Sequence, residues 1–244
     1  MTRRIRIAVL AVLVASLASV APAAAQTVDD IVARHLASRG GAEKWRAIRT
    51  QQVTGAIYTQ DIELGMFMLT ARPNLGHQEL TLALPGQDPA MILNVFDGAK
   101  AWTINPLLSG PTTVELTGRD ADMVRDQSEF ESPLIDYRAK GYTVELVGTE
   151  TLGDRRMYRL KVTRPGRGVT HYLIDAETGV ERRIESTGAD GSPMVVDLLD
   201  HRPVDGVLVP FDIRMQQPGQ PLLEVVVSTV EFNVPADASL FRRP

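Results

Sequence analysis

The stretch VLVPFDIRMQ puts Val207, Val209, Phe211, Ile213 and Met215 at one parity, and Leu208, Pro210, Asp212, Arg214 and Gln216 at the other. Successive side chains of a strand point to opposite faces, so this alternation predicts a strand with one dry and one wet face. RMYRLKVTR repeats the pattern, with Tyr158, Leu160 and Val162 set against Arg159, Lys161 and Thr163. HQELTLALP does so again through Leu80, Leu82 and Leu84. Strict alternation in many short segments is the mark of an antiparallel sheet buried on one side. Turn signals fall between the segments: Asp97-Gly98, Thr178-Gly179, Asp190-Gly191 and Asp205-Gly206. The period-two region begins near Arg49 and predicts about ten or eleven strands.

Two regions break this period. Ahead of it, Val28, Ile31, Val32, His35 and Leu36 recur at helical spacing behind Thr27, a residue type that caps helices, with Asp29 and Asp30 in the first turn. Gly40-Gly41 ends that helix, and a second short one is expected from Trp45 to Ile48. In the middle, residues 120 to 141 read as one or two helices inserted between two sets of strands. No fixed-period repeat or low-complexity linker divides the chain, so residues 26–244 are expected to form one domain.

The first 25 residues differ in kind. Arg3, Arg4 and Arg6 precede an uncharged apolar run from Ile7 to Val20, which ends at Ala23-Ala24-Ala25. This is the layout of a secretory signal peptide, with cleavage expected after Ala25. The run is 14 residues long, short of the roughly 20 that span a bilayer. The remaining chain is therefore expected to be exported and not integral to a membrane. Its loss takes the formal charge from −4 to −7. A mildly acidic exported chain without a basic cluster does not fit nucleic acid as a partner. The sequence contains no cysteine, which excludes disulfides, thiol catalysis and lipid attachment at an N-terminal cysteine.

Candidate chemistry is sparse. HYLIDAETGVERRIE gathers His171, Asp175 and Glu177, but the alternation on either side of DAETG makes it a hairpin. Asp175 and Glu177 are then expected at its exposed tip, with Glu181, Arg183 and Glu185 pointing outward on the return strand. His35, His77, His171 and His201 occur in no paired-ligand spacing, and read as surface or strand histidines. No nucleophile elbow, phosphate loop or dinucleotide fingerprint is present. No catalytic residue, metal ligand or cofactor is assigned. What stands out is an apolar face rich in methionine: Met66 and Met68 in one strand, Met91, Met194 and Met215 in others. Flexible, polarizable side chains suit a surface that accepts varied apolar partners. So long a sheet has more inner face than the helices can cover, and the shortfall predicts a ligand cavity.

The mature chain resembles the outer-membrane lipoprotein-sorting superfamily, the LolA-like fold. GGAEKWRAI, FDGAKAWTINP, SPLIDYRAKGYTVELVGTETLGDRRMYRLKV, HYLIDAETGVERRIE, VDGVLVPFDI and EFNVPADASLFRRP carry the resemblance, in that order, from Val28 to Pro244. It implies a mainly β (α+β) fold, an antiparallel half-barrel whose concave apolar side is covered by helices. It also implies a non-catalytic periplasmic carrier of lipid or lipoprotein acyl chains. The lid would be the helix from Val28 to Leu36 with the insert from Asp120 to Lys140. The cavity candidates are Met66, Met68, Leu80, Leu82, Trp102, Ile104, Tyr158, Leu160, Tyr172, Ile174, Val207, Val209, Phe211 and Ile213. Arg72 and Arg182 are the candidates for a strand arginine that hydrogen-bonds the lid. A regulator that binds an envelope protein on the same fold is the alternative, with an enzyme using the half-barrel behind it.

Overall fold

A computed structural model describes residues 26–188 and 191–244. The expected signal peptide, its cleavage after Ala25 and the Asp190 half of one turn signal lie outside these residues. The chain opens with α1 (Val28–Ser38), capped by a reciprocal pair in which the Thr27 side chain accepts from the Asp30 amide and the Asp30 carboxylate accepts from Thr27. α2 (Ala42–Ala47) follows. Six strands come next: β1 (Thr50–Thr59), β2 (Ile62–Ala71), β3 (Leu75–Leu82), β4 (Ala90–Phe96), β5 (Ala101–Asn105) and β6 (Gly110–Leu116). After α3 (Gly118–Gln127) and an irregular connector, seven more complete the sheet: β7 (Thr143–Leu152), β8 (Arg155–Arg164), β9 (Gly168–Asp175), β10 (Glu181–Thr187), β11 (Pro193–Val204), β12 (Val207–Gln216) and β13 (Leu223–Phe232). A short 3₁₀ turn, Ala238–Phe241, lies near the C-terminus.

The described strands number thirteen, not ten or eleven, in one open antiparallel sheet. The undercount has a physical cause. β6 is an edge strand of largely exposed residues, and a strand with no dry face shows no alternation. The order is β6-β5-β4-β3-β2-β1-β13-β12-β11-β10-β9-β8-β7. The two edge strands are consecutive in sequence, so α3 and residues 128–142 must cross from one edge of the sheet to the other.

That crossing requires curvature. Val124 of α3 packs with Phe96 of β4 and Ala101 of β5, while Asp126 and Glu129 pair with Arg164 and Arg167 at the β8–β9 turn. β4 and β8 are nine places apart in the sheet. At about 4.8 Å per strand a flat sheet would separate them by roughly 40 Å, several times the ~10–12 Å width of a helix. The sheet therefore curls around α3 and the connector. The approach is close: a Cβ at Gly76 of β3 would lie 2.0 Å from the Ser128 hydroxyl.

Following the registers outward from β1 defines the concave face. Val53, Gly55 and Ile57 sit opposite Met68, Met66 and Leu64, which in turn face Gln78, Leu80 and Leu82. On the other side Ile57 faces Val225, which faces Ile213, then Leu198. Ile184, Tyr172 and Leu160 continue the row to the far edge. The convex face near β2 to β6 is not bare. The C-terminal tail crosses it, packing Phe241 on Leu69 and Ala71, taking a hydrogen bond from His77 at the Leu240 carbonyl, and reaching Thr113 with Pro244.

Candidate functional site

The concave face is apolar along its length, and the helices cover part of it. In the middle, Val207, Val209 and Phe211 of β12 join Val53, Ile57, Met66 and residues of β13 beneath Trp45 of α2 and Ile135 of the connector. Toward β7, Leu160, Val162, Tyr172 and Ile174 are buried under Ile31 and Val32 of α1 and Leu134 and Tyr137 of the connector. Tyr158 borders this second group half-buried. Beside the covered parts runs a half-buried strip of Leu64, Met68, Leu80, Ile213, Met215 and Leu223. Leu82 extends it at the end of β3.

Twelve of the fourteen cavity candidates thus share the concave side. Trp102 and Ile104 do not: they pair with Val95 and Leu93, one parity away from Phe96 and Ala101, and so lie on the convex face beneath the C-terminal tail's path. Met91, 47 % exposed, also lies outside. The reason is that β4 and β5 are covered on both sides, and alternation between two dry faces carries no sign. The covered candidates are packed against the residues above them. Trp45, Ile135, Ile31 and Leu134 fill the space against them, each no more than 2 % exposed. A separate cleft of about 120 Å³ opens between Arg72, Asn74, Phe130, Glu131, Lys140 and Tyr142.

Ion pairs fasten the cover. Arg72, just past the end of β2, donates to the carbonyls of Ile48 (2.8 Å) and Trp45 (2.9 Å) and to Glu131 of the connector (2.6 Å). Its guanidinium also stacks 5.3 Å above the Phe130 ring. Lys140 donates to the other oxygen of Glu131 at 2.6 Å. Burial works against the Glu131 charge, but hydrogen bonds from Lys140 and Arg72 outweigh it and hold the carboxyl below its ordinary value. At the opposite rim Arg167 donates to both Asp126 and Glu129, and Arg164 lies 3.3 and 3.6 Å from the same two carboxylates. Of the two lid-pairing candidates, Arg72 reaches the connector. Arg182 instead faces Asp175 at 3.9 Å.

Under α1 lies a polar cluster that the alternation pattern misses. Glu181, expected outward, is 3 % exposed. A bulge between Glu181 and Arg183 shifts the phase of β10 and turns Glu181 inward, opposite Ile174. His35 of α1 is fully buried; its Nδ1 donates to the Gly179 carbonyl at 3.1 Å, and its Nε2 lies 3.9 Å from Glu181. Arg39 approaches the same carboxylate at 3.5 Å. His201 of β11 reaches the Glu181 backbone. Burial pushes Glu181 up to about 7, with Arg39 opposing. Burial, aided by Arg39, depresses His35 to about 3, and burial with Arg182 and Arg39 depresses His201 to about 4. His35 was legible in part, since it falls on the apolar stripe of α1. His201 lies on no such stripe: the β11–β12 register runs unbroken past Asp200, φ 45°, and sets His201 opposite Pro210.

The DAETG hairpin is present, with Gly179 at φ 75°, but Asp175 is not at an exposed tip. It is 1 % exposed, caps the turn by accepting from the amides of Glu177 and Thr178, and pairs with Arg155 at 2.7 Å. Glu177 is exposed. Among the described residues no group of three or more His, Asp or Glu is arranged to hold a metal ion.

No protein-family model matches the chain, and no curated protein matches its sequence. Solved structures do match. A DUF1329 family protein from Desulfovibrio piger is similar at a TM-score of 0.60 and 10 % identity, over 88 % of this chain and 97 % of that one. A LolA superfamily protein from Nitrosomonas europaea is similar at 0.58 and 17 %, over 89 % and 98 %. An outer membrane lipoprotein-sorting protein domain from Vibrio parahaemolyticus is similar at 0.58 and 11 %, over 87 % and 94 %. At such identities the likeness is one of architecture, and with the open antiparallel sheet and helix-covered concave side described above, it establishes that this chain has the LolA-like fold.

Proposed function

We propose that this chain is a non-catalytic periplasmic carrier that binds lipid or lipoprotein acyl chains on its concave face. The observation that carries the reading is the half-buried apolar strip of Leu64, Met68, Leu80, Ile213, Met215 and Leu223, which runs directly into the covered core. An acyl chain laid on this strip extends inward by displacing connector side chains such as Ile135. The fold's likeness to a lipoprotein-sorting domain supports the same assignment. So does the expected signal peptide, which would place the chain in the periplasm. No helix among the described residues is long and apolar enough to cross a membrane.

The magnitudes are adequate. At about 0.8 kcal/mol per buried methylene, a dozen methylenes contribute roughly 10 kcal/mol gross. Association and ordering costs take back several kcal/mol. Such a site needs no reacting group, only apolar area and a cover that can move.

Native mass spectrometry of the chain purified from the periplasm without detergent, with solvent extraction of the same sample, tests this. A co-purifying lipid or acylated peptide is expected. A clean mass that stays unchanged after incubation with phospholipid vesicles would overturn the carrier reading. A stoichiometric protein partner without lipid would replace it with an envelope regulator. Phe211→Trp and Val209→Trp fill the face and should lower lipid capacity; unchanged capacity would show that the chain binds elsewhere.

A further inference from the structure

The turns at the two ends of the sheet differ in kind. At one end lie the β1–β2 turn (60–61), the β3–β4 turn (83–89), the β5–β6 turn (106–109) and the β12–β13 turn (217–222), borne by eight adjacent strands. These four turns contain no lysine or arginine, and their charges are Asp61 and Asp88 alone. Arg167, farther along the same end in the β8–β9 turn, is paired with Asp126 and Glu129. Every turn at the opposite end carries a charge: Arg72 after β2, Asp97 and Lys100 after β4, Asp154 after β7, Glu177 after β9 and Asp205 after β11.

The weakly charged end is also apolar. Tyr58, Ile62, Met91, Leu107, Leu108 and Leu222 stand exposed in these turns or within two residues of them, half of the twelve large apolar side chains exposed among the described residues. One exposed leucine is ordinary, but a group of apolar side chains at one end marks a contact surface. The β5–β6 turn is closed without them. The Asn105 side chain accepts from the Leu107 amide at 3.1 Å, and its carbonyl accepts from the amides of Leu108 and Ser109. Nothing in that geometry calls for a leucine, yet Leu108 is 86 % exposed. The concave face opens at the same place. Its last row is Met215, Leu223, Thr59 and Ile62, so the half-buried apolar strip runs out onto this rim.

We propose that this rim docks the chain on the surface of a lipid bilayer with net-neutral headgroups, its turn side chains inserted and the apolar strip facing the acyl region.

Anionic headgroups are held by lysine and arginine at the contact; this rim has neither, and its two acids are repelled by such a surface. Gln60, Gln87, Gln217 and Gln220 instead offer uncharged hydrogen-bonding groups at headgroup level. Continuity with the strip selects a bilayer over a protein partner, because an acyl chain moving along the strip leaves the fold beside Ile62 and Leu222. That choice rests on the carrier reading; the apolar rim itself does not.

Trp45 and Trp102 are buried, so Leu108→Trp adds an indole that reports on the rim alone. Titrated with phosphatidylcholine vesicles, the mature chain carrying it should shift its emission to the blue and be quenched by lipids brominated in the acyl chains. The wild-type chain should float with the same vesicles equally at low and high salt, and no more strongly when phosphatidylglycerol is added. Leu107→Ser with Leu108→Ser should lower vesicle partitioning about tenfold. Lipid held per folded molecule, loaded from detergent and counted by native mass spectrometry, should stay as in wild type. An emission that vesicles do not move, or equal partitioning of wild type and double variant, overturns the docking. So does binding that requires phosphatidylglycerol or disappears in high salt. Solution dimers broken by the double substitution, with no vesicle binding, would give the rim to a second copy and overturn it as well. Vesicle binding through Leu107 and Leu108 by a chain that holds no lipid would support the docking while removing the carrier reading.

Discussion

Ile135 is the point at which the connector is most exposed to test. It is 1 % exposed and packs into the central group with Trp45, Val209 and Phe211, whereas its neighbour Leu134 packs into the group under α1. Ile135→Ala removes three carbons from a filled site. At about 0.8 kcal/mol per methylene the transfer loss is roughly 2.4 kcal/mol. A residual cavity of about 50 Å³, at about 24 cal/mol per Å³, adds roughly 1 kcal/mol. The expected destabilisation is thus about 3–4 kcal/mol, measured by urea unfolding with an unchanged m-value. Leu108→Ala, at a position 86 % exposed, should stay within about 0.5 kcal/mol and serves as the control. A loss below about 1 kcal/mol for Ile135→Ala would refute the reasoning, because it would mean that the connector does not rest on the sheet in solution.

Three further outcomes follow from the same packing. Glu181 has its carboxyl raised to about 7 from 4.5, so its contribution is fully present below pH 4.5 and is lost as pH rises through 7. Glu181→Gln should therefore be more stable than wild type by up to about 3 kcal/mol at pH 8, with no gain at pH 4.5, in paired urea titrations. Trp102→Ala should cost about 3–5 kcal/mol of stability yet leave lipid capacity per folded molecule unchanged, since Trp102 is on the convex face; reduced capacity would show that the face assignment is wrong. Arg72→Met removes the donor shared by two carbonyls of the α2 region and Glu131. It should cost about 2–3 kcal/mol and raise exchange of connector amides in residues 128–142 before it affects those of β1.

The alternation that predicted strands is a local property, and it held wherever one face of a strand is wet. In β12 and β8 polar side chains recur on the outer parity, Asp212, Arg214 and Gln216 in one and Arg159, Lys161 and Thr163 in the other, so the concave members Val207, Val209, Phe211, Leu160 and Val162 could be read directly. Thr27 and the apolar stripe behind it likewise located α1. Trp102 and Ile104 were misread because the C-terminal tail dries the convex side of the neighbouring strands, and two apolar parities look alike from sequence.

Glu181 was misread for another reason. One extra residue at a bulge inverts the face assignment across it, and nothing in ERRIE marks that residue by chemistry. The pairing of Arg72 with Glu131, the clasp of Arg167 on Asp126 and Glu129, and the filling of the face by Ile135 depend on contacts 38 or more residues apart. Sequence alone thus determined most of the strands, the capping of the first helix and the apolar composition of one face, because each follows from interactions between near neighbours. Only the tertiary structure decided which parity is concave where both are dry, how far the sheet curls and which charges meet, because those depend on where the chain returns.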